Sequence, residues 1–191
     1  MRRAVPLTVF VAALVGAGCG NQVEPAGSLS PTPSAKTRDL DYPRVGLSLR
    51  LPADVEAGAV PAPGVFRAGV GEGFVAAFAY ERDEQLPRDA RELEAARRRL
   101  VDAAEERSDS FDTVSSRTTE AGGSRAVELV GDQTLSQARL RTRSLHVFEG
   151  RTEYVIELAV PVEEFARLNR AVFPVIERSL AVSGDIRREG G

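Results

Sequence analysis

Few side chains in this sequence could do chemistry, and the most conspicuous are three arginines. Arg139, Arg141 and Arg143 alternate along the stretch from Ala138 to Phe148, and alternate positions of an extended strand point to one face. Three guanidinium groups spread over about 14 Å of strand could grip a phosphate or a carboxylate. A three-residue turn centred on Gly150 would put Glu153 and Glu157 of the next strand on that same face, with Glu128 of the preceding strand beside them. Cross-strand ion pairs therefore compete with ligand binding as the purpose of the stripe. The same register sets His146, the only imidazole, opposite Tyr154. That suggests a structural hydrogen bond, because a general base needs a nucleophile or a carboxylate within reach. The run Gly69-Val70-Gly71-Glu72-Gly73 has the glycines of a phosphate loop but opens an apolar strand rather than a helix, so it reads as a turn or bulge. Asp83 and Glu84 offer too few ligands for a hard cation. No metal, no cofactor and no catalytic residue are expected, and an enzyme is not.

The single cysteine has a different setting. Arg2 and Arg3 precede an apolar run from Ala4 to Val15, and Gly16-Ala17-Gly18 then lead to Cys19. A basic start, an apolar centre and a small-residue end make an export signal. The apolar stretch of about 15 residues falls short of the roughly 20 that a permanent membrane-spanning helix needs. The small residues before Cys19 resemble the lipobox of bacterial lipoproteins, although Gly16 stands where that family usually has Leu. The resemblance implies cleavage before Cys19 and a lipid on its thiol, hence attachment to the outer, extracytoplasmic side of the cell membrane. It also accounts for a lone thiol in an oxidising compartment.

Composition narrows the rest. The 191 residues carry 25 basic and 28 acidic side chains, net −3, with one His and no Trp. Lys36 is the only lysine. A nucleic-acid partner is not indicated by such a balance, and one Cys with one His excludes both a disulfide framework and a zinc cluster.

The elements that would position these residues begin after a Pro-, Ser- and Gly-rich stretch. Residues 1–18 read as the signal, 19–41 as lipidated Cys19 plus a flexible linker, 42–183 as one domain and 184–191 as a tail. Val45, Leu47, Leu49 and Leu51 alternate as a strand, residues 53–73 read as loop with a short strand at Val65-Phe66, and Phe74 to Tyr80 reads as a central strand. Ala90, Leu93, Ala96, Leu100 and Ala104 mark a helix over residues 87–107, which Asp89 and Glu92 would cap if it starts late. Arg97-Arg98-Arg99 would lie on its solvated face. Hairpins follow at Ala121-Gly122-Gly123 and around Gly150. A last helix, 162–182, should kink or break near Pro174.

This order, together with Tyr42-Pro43-Arg44-Val45-Gly46-Leu47-Ser48-Leu49-Arg50-Leu51-Pro52, Glu153 to Leu158 and the closing Phe173 to Leu180 segment, resembles the PsbP-like superfamily over residues 42–183. Lipoproteins of the LpqN type are similar in carrying such a domain behind a lipidated cysteine. The resemblance implies an α+β fold, an antiparallel β-sheet sandwiched by helices, and a non-catalytic role in binding or assembly with an envelope protein partner. A carrier of a lipid or other apolar ligand is the alternative. No functional residue carries over by position.

Overall fold

The computed structural model describes residues 31–108, 110–135, 137–184 and 186. Cys19 and the export signal lie outside the described residues. Ten strands and two helices follow in the order β1 (Thr37–Tyr42), β2 (Leu47–Pro52), β3 (Ala57–Ala59), β4 (Gly64–Val70), β5 (Gly73–Glu81), α1 (Ala90–Arg107), β6 (Asp112–Ala121), β7 (Ser124–Leu135), β8 (Ala138–Glu149), β9 (Thr152–Pro161), α2 (Val162–Ser179) and β10 (Ala181–Val182). Seven strands form one antiparallel sheet in the order β3-β4-β5-β9-β8-β7-β6, and β1-β2-β10 form a smaller one.

The layers follow from where the apolar side chains point. Leu47, Leu49 and Leu51 of β2 and Leu168, Val172, Phe173 and Ile176 of α2 join Phe66, Tyr154, Ile156 and Leu158 in one core. The small sheet and α2 thus cover one face of the large sheet. On the opposite face α1 packs on β6 and β7, with Leu93 and Ala96 against Val127 and Phe148. Phe74, Phe78, Tyr80 and Glu157, which point to that side from β5 and β9, keep partial solvent access.

Asp89 caps α1, its carboxylate accepting from the Glu92 amide at 2.7 Å while Glu92 reaches back to the Arg88 amide at 2.8 Å. The helix therefore starts at Ala90 and not at Pro87. α2 runs unbroken through Pro174. Its last turn is tied to β2 through Ser179 Oγ, which accepts from the Arg50 amide at 2.8 Å.

Two expected loops are ordered strands. Residues 37–41, assigned above to the linker, form β1 together with Tyr42 and pair with β2 from Thr37↔Pro52 to Tyr42↔Leu47. The polar composition hid a strand whose inward positions are Leu40 and Tyr42, and Tyr42 stacks on Phe66 at 5.7 Å. β4 fills seven residues where two were expected, because its exposed positions are Arg67 and Gly69. At the other boundary, Gly184 is held by the domain. Its amide donates to Tyr154 Oη at 3.2 Å and its carbonyl accepts from Thr152 Oγ1 at 3.1 Å.

The largest departure is one residue of register. The β8–β9 turn has two central residues, Gly150 and Arg151, between the pair Glu149↔Thr152. Positive φ falls on Gly150 at 59° and not on Arg151, which suits a turn with glycine in its first central position. A one-residue slip sends every side chain to the other face. His146 consequently pairs with Val155, and Glu153 and Glu157 lie on the face opposite the arginines.

Tyr154, fully buried, donates its hydroxyl to the Val45 carbonyl at 2.7 Å and so joins the start of β2 to the end of the domain. Tyr154→Phe keeps the packing and strands two backbone groups. Chemical denaturation should show a loss of about 1–3 kcal/mol.

Candidate functional site

Each face of the large sheet carries its own polar cluster. On the α2 face, the register Glu128↔Leu145 and Asp132↔Arg141 brings β7 acids beside the β8 arginines. Arg143 donates to Glu128 and, at 2.7 Å, to Glu177 of α2, and its guanidinium lies 4.0 Å from the Phe173 ring centroid. Arg117 makes a second, two-pronged contact with Glu128 at 3.0 and 2.9 Å. Arg141 binds Asp132 at 2.6 and 2.9 Å, and Arg139 reaches the same carboxylate at 3.0 Å. Burial alone would push the Glu128 carboxyl up, but hydrogen bonds from Arg117 and Arg143 outweigh it and hold it below the usual range. The Arg141 hydrogen bond does the same for Asp132 against a smaller cost of burial.

The stripe is therefore an ion-pair lattice, and its acids are Glu128 and Asp132 rather than Glu153 and Glu157. Its members differ in depth. The Arg143 side chain is 11% exposed and that of Arg139 is 68% exposed. Stripping a partner from a buried pair leaves an uncompensated charge, whereas a surface pair contributes little. Arg143→Ala should cost about 3 kcal/mol in a denaturation midpoint analysis, and Arg139→Ala no more than about 1 kcal/mol. A stripe built to grip a ligand would show a negligible cost at both.

On the α1 face, His146 sits among groups the expected register did not give it. Its Nδ1 is 2.7 Å from Glu153 Oε1, and its Nε2 is 3.2 Å from Ser144 Oγ. Arg82 holds the other Glu153 oxygen through Nε at 2.7 Å and also through Nη2. Burial raises the Glu153 carboxyl, yet hydrogen bonds from His146 and Arg82 together bring it below its ordinary value. An ionised carboxylate only accepts, so Nδ1 carries the donated proton.

The chain Glu153, His146, Ser144 thus has the order of a catalytic relay, and the expectation that His146 lacks a carboxylate and a hydroxyl is corrected. The backbone amides of the strand that carries Ser144 and His146 offer no donor to an oxyanion. β8 lies between β7 and β9, so its amides are spent on both ladders. The hydrogen bonds instead lock β8, β9 and the end of β5 together. With the folded-state carboxyl lowered, the Glu153 contribution is present above the unfolded carboxyl range near pH 4.3 and disappears as pH falls through the folded value. Glu153→Gln should therefore be less stable than the parent by about 3 kcal/mol at neutral pH. The gap should narrow towards pH ~3 in denaturation curves taken across that range.

Glu157, the next acid along β9, lies between Ala76 and Ser144 in the ladder. Burial pushes its carboxyl up, against the opposing charges of His146, Arg107 and Arg67. Sequence reading assigned it only as a partner for the arginine stripe. The signal available was a lone acid between Ile156 and Leu158 in an otherwise apolar strand.

The remaining candidates resolve simply. Gly71 and Glu72 form the β4–β5 turn beyond the pair Val70↔Gly73. Arg97 pairs with Glu94 at 2.6 Å and donates to Ser116 Oγ at 2.5 Å. Asp83 meets Arg151 at 3.6 Å. Among the described residues no three acid, His or Cys side chains converge to hold a metal.

No protein-family model matches the chain, and no curated protein matches it by sequence. Solved structures do match. A cyanobacterial PsbP (CyanoP) from Synechocystis superposes with a TM-score of 0.58 at 10% identity, covering 82% of this chain and 98% of that one. A crystal structure from Bacteroides thetaiotaomicron gives 0.51 at 15% identity, with 80% of this chain and 49% of that one covered. LpqN of Mycobacterium tuberculosis, involved in cell envelope biogenesis, gives 0.42 at 16% identity over 81% and 82% of the two chains, too loose a likeness to support an argument. At such identities the likeness concerns the path of the backbone alone. Mixed α+β architecture, a mostly antiparallel sheet between two helices and the match to CyanoP together make the fold PsbP-like.

Proposed function

We propose that this chain is a lipid-anchored binding or assembly module on the outer side of the cytoplasmic membrane, without catalytic activity, serving an envelope protein partner. The observation that carries the reading is the position of the only thiol. Cys19 closes an export signal and precedes the domain by a short segment. Among the described residues no helix is long and apolar enough to cross a membrane, so acyl chains on Cys19 would make the attachment. Mature residues 19–191 lose Arg2 and Arg3 and no acid, leaving 23 basic against 28 acidic side chains, net −5. Charge attraction to anionic lipid is not needed and not favoured.

The tether is shorter than the linker expected from composition. Thr32 Oγ1 accepts from Arg167 at 3.1 Å, and the Ser34 amide donates to Asp54 at 2.9 Å. Only residues 20–31 separate Cys19 from these contacts, and at full stretch they reach about 40 Å. The module would therefore act within one domain diameter or so of the bilayer surface.

The non-catalytic reading is supported by the amides of β8 being spent on both ladders, so that none beside Ser144 is left to meet an oxyanion. A carrier of apolar ligands needs an enclosed apolar pocket. Fully buried Tyr154, Phe66, Phe173, Leu158 and Leu168 fill the space between the large sheet and α2. Two hollows among the described residues are open depressions of about 280 and 350 Å³ with Glu81, Arg151 and Thr152 in one and Asp39, Asp41 and Arg50 in the other. Neither is an apolar chamber.

Metabolic labelling with a radioactive fatty acid should mark the parent chain and leave Cys19→Ala unlabelled and free of the membrane fraction. Equal labelling of the two would refute the anchor.

A further inference from the structure

The chain enters the domain at one definite end. β2 runs from the pair Leu47↔Val182, beyond the last turn of α2, to the pair Pro52↔Thr37, so β1 starts at the end where α2 begins. α2 itself follows Pro161 directly, at the C-terminal end of β9. Two hydrogen bonds hold the incoming chain there. Arg167, in the second turn of α2, donates to Thr32 Oγ1, and the Ser34 amide donates to Asp54 just past β2. Cys19 can lie no more than about 40 Å from this end.

Exposed apolar side chains gather toward the same end. Among the described residues the large ones are Val114 and Leu135, 51% and 47% exposed. β9 stops at the pair Leu140↔Pro161, but β7 and β8 continue to Leu135↔Ala138, which carries the hairpin about 7 Å further. Leu135 stands at this projecting tip with Gln137 and Ala138, all three exposed. Val114 is the extra residue of a bulge in β6, between Thr113↔Gly131 and Ser115↔Val130. β6 is the outermost strand of the large sheet. Leu135 at its end and Val114 on its edge therefore bound one corner.

Chemistry decides what could cover that corner. Exposed Asp54 after β2, Glu72 in the β4–β5 turn and Glu163 at the start of α2 belong to this end of the molecule. The chain from Cys19 onward has 23 basic and 28 acidic side chains, net −5, so charge does not draw it onto an anionic surface. Apolar side chains on a projecting tip and a bulged edge suit shallow entry at the boundary between headgroups and acyl chains. We propose that this corner rests on the bilayer, with Leu135 and Val114 entering the interfacial layer of a neutral phospholipid surface. The proposal rests on the lipid-anchor reading and adds to it which end of the domain faces the membrane.

A tether alone leaves the domain free to turn. Contact at the corner selects one orientation. The Gly122-Gly123 and Gly150-Arg151 turns lie at the other end of the same strands, so they face away from the bilayer.

The test places the full chain, acylated on Cys19 or, if it carries no acyl group, coupled there to a maleimide lipid, in phosphatidylcholine nanodiscs that contain a lipid with a spin-labelled headgroup. Amide signals of Leu135, Gln137 and Ala138 should broaden, while those of Gly122 and Gly150 stay sharp. Leu135→Ser should lower the ratio of docked to undocked domain, read from that broadening, roughly tenfold, and Val114→Ser severalfold. Both side chains are exposed, so amide shifts elsewhere should show the fold unchanged in each variant. Equal broadening at the two ends, no broadening at the tip, or tip broadening that neither serine variant reduces would overturn the proposal. Absence of a native acyl group would refute the anchor, yet the coupled chain would still report which end meets the lipid, so the two readings fail separately.

Discussion

The positive φ of Gly150 sets the arrangement on which the rest of the molecule depends. With glycine first in a two-residue turn, Glu149 pairs with Thr152, and the ladder from Leu140↔Pro161 to Phe148↔Glu153 is fixed. That ladder assigns each charged side chain to a face. Arg139, Arg141 and Arg143 go under α2 with the acids of β7, while His146, Glu153 and Glu157 go under the half-covered α1 side. A turn one residue longer would exchange the occupants of the two faces and leave charges in the main core.

The two sides then settle their electrostatics in different ways. Beneath α2, where the small sheet and the helix exclude water, buried acids are matched by guanidinium groups, as Glu128 is by Arg117 and Arg143. Unpaired charge could not persist there. Beneath α1 the helix covers only part of the sheet, and solvent near Arg67 and Arg107 makes unpaired charge tolerable.

Much of this was legible in the residues. Period-two alternation located β2, β8 and β9, a run apolar on both faces located β5, helical spacing located both helices, and Gly122-Gly123 identified a turn in which both glycines have positive φ. The spacing of the arginine stripe was legible as well, and so was Glu128 as one of its partners. Register was not, because Glu149-Gly150-Arg151 suits a turn of two or of three residues, and sequence carries no measure of that choice. β1 was hidden because Thr37–Tyr42 gains its order from pairing with β2, a contact absent from local composition. The hydrogen bond of His146 to Glu153 was hidden because it follows from register.

The measurement that tests the central claim most directly is the cross-strand pattern of backbone nuclear Overhauser contacts between β8 and β9. The account predicts His146 opposite Val155 and Ser144 opposite Glu157. Contacts placing His146 opposite Tyr154 would put the arginines and Glu157 on one face and contradict the partition of charge described above.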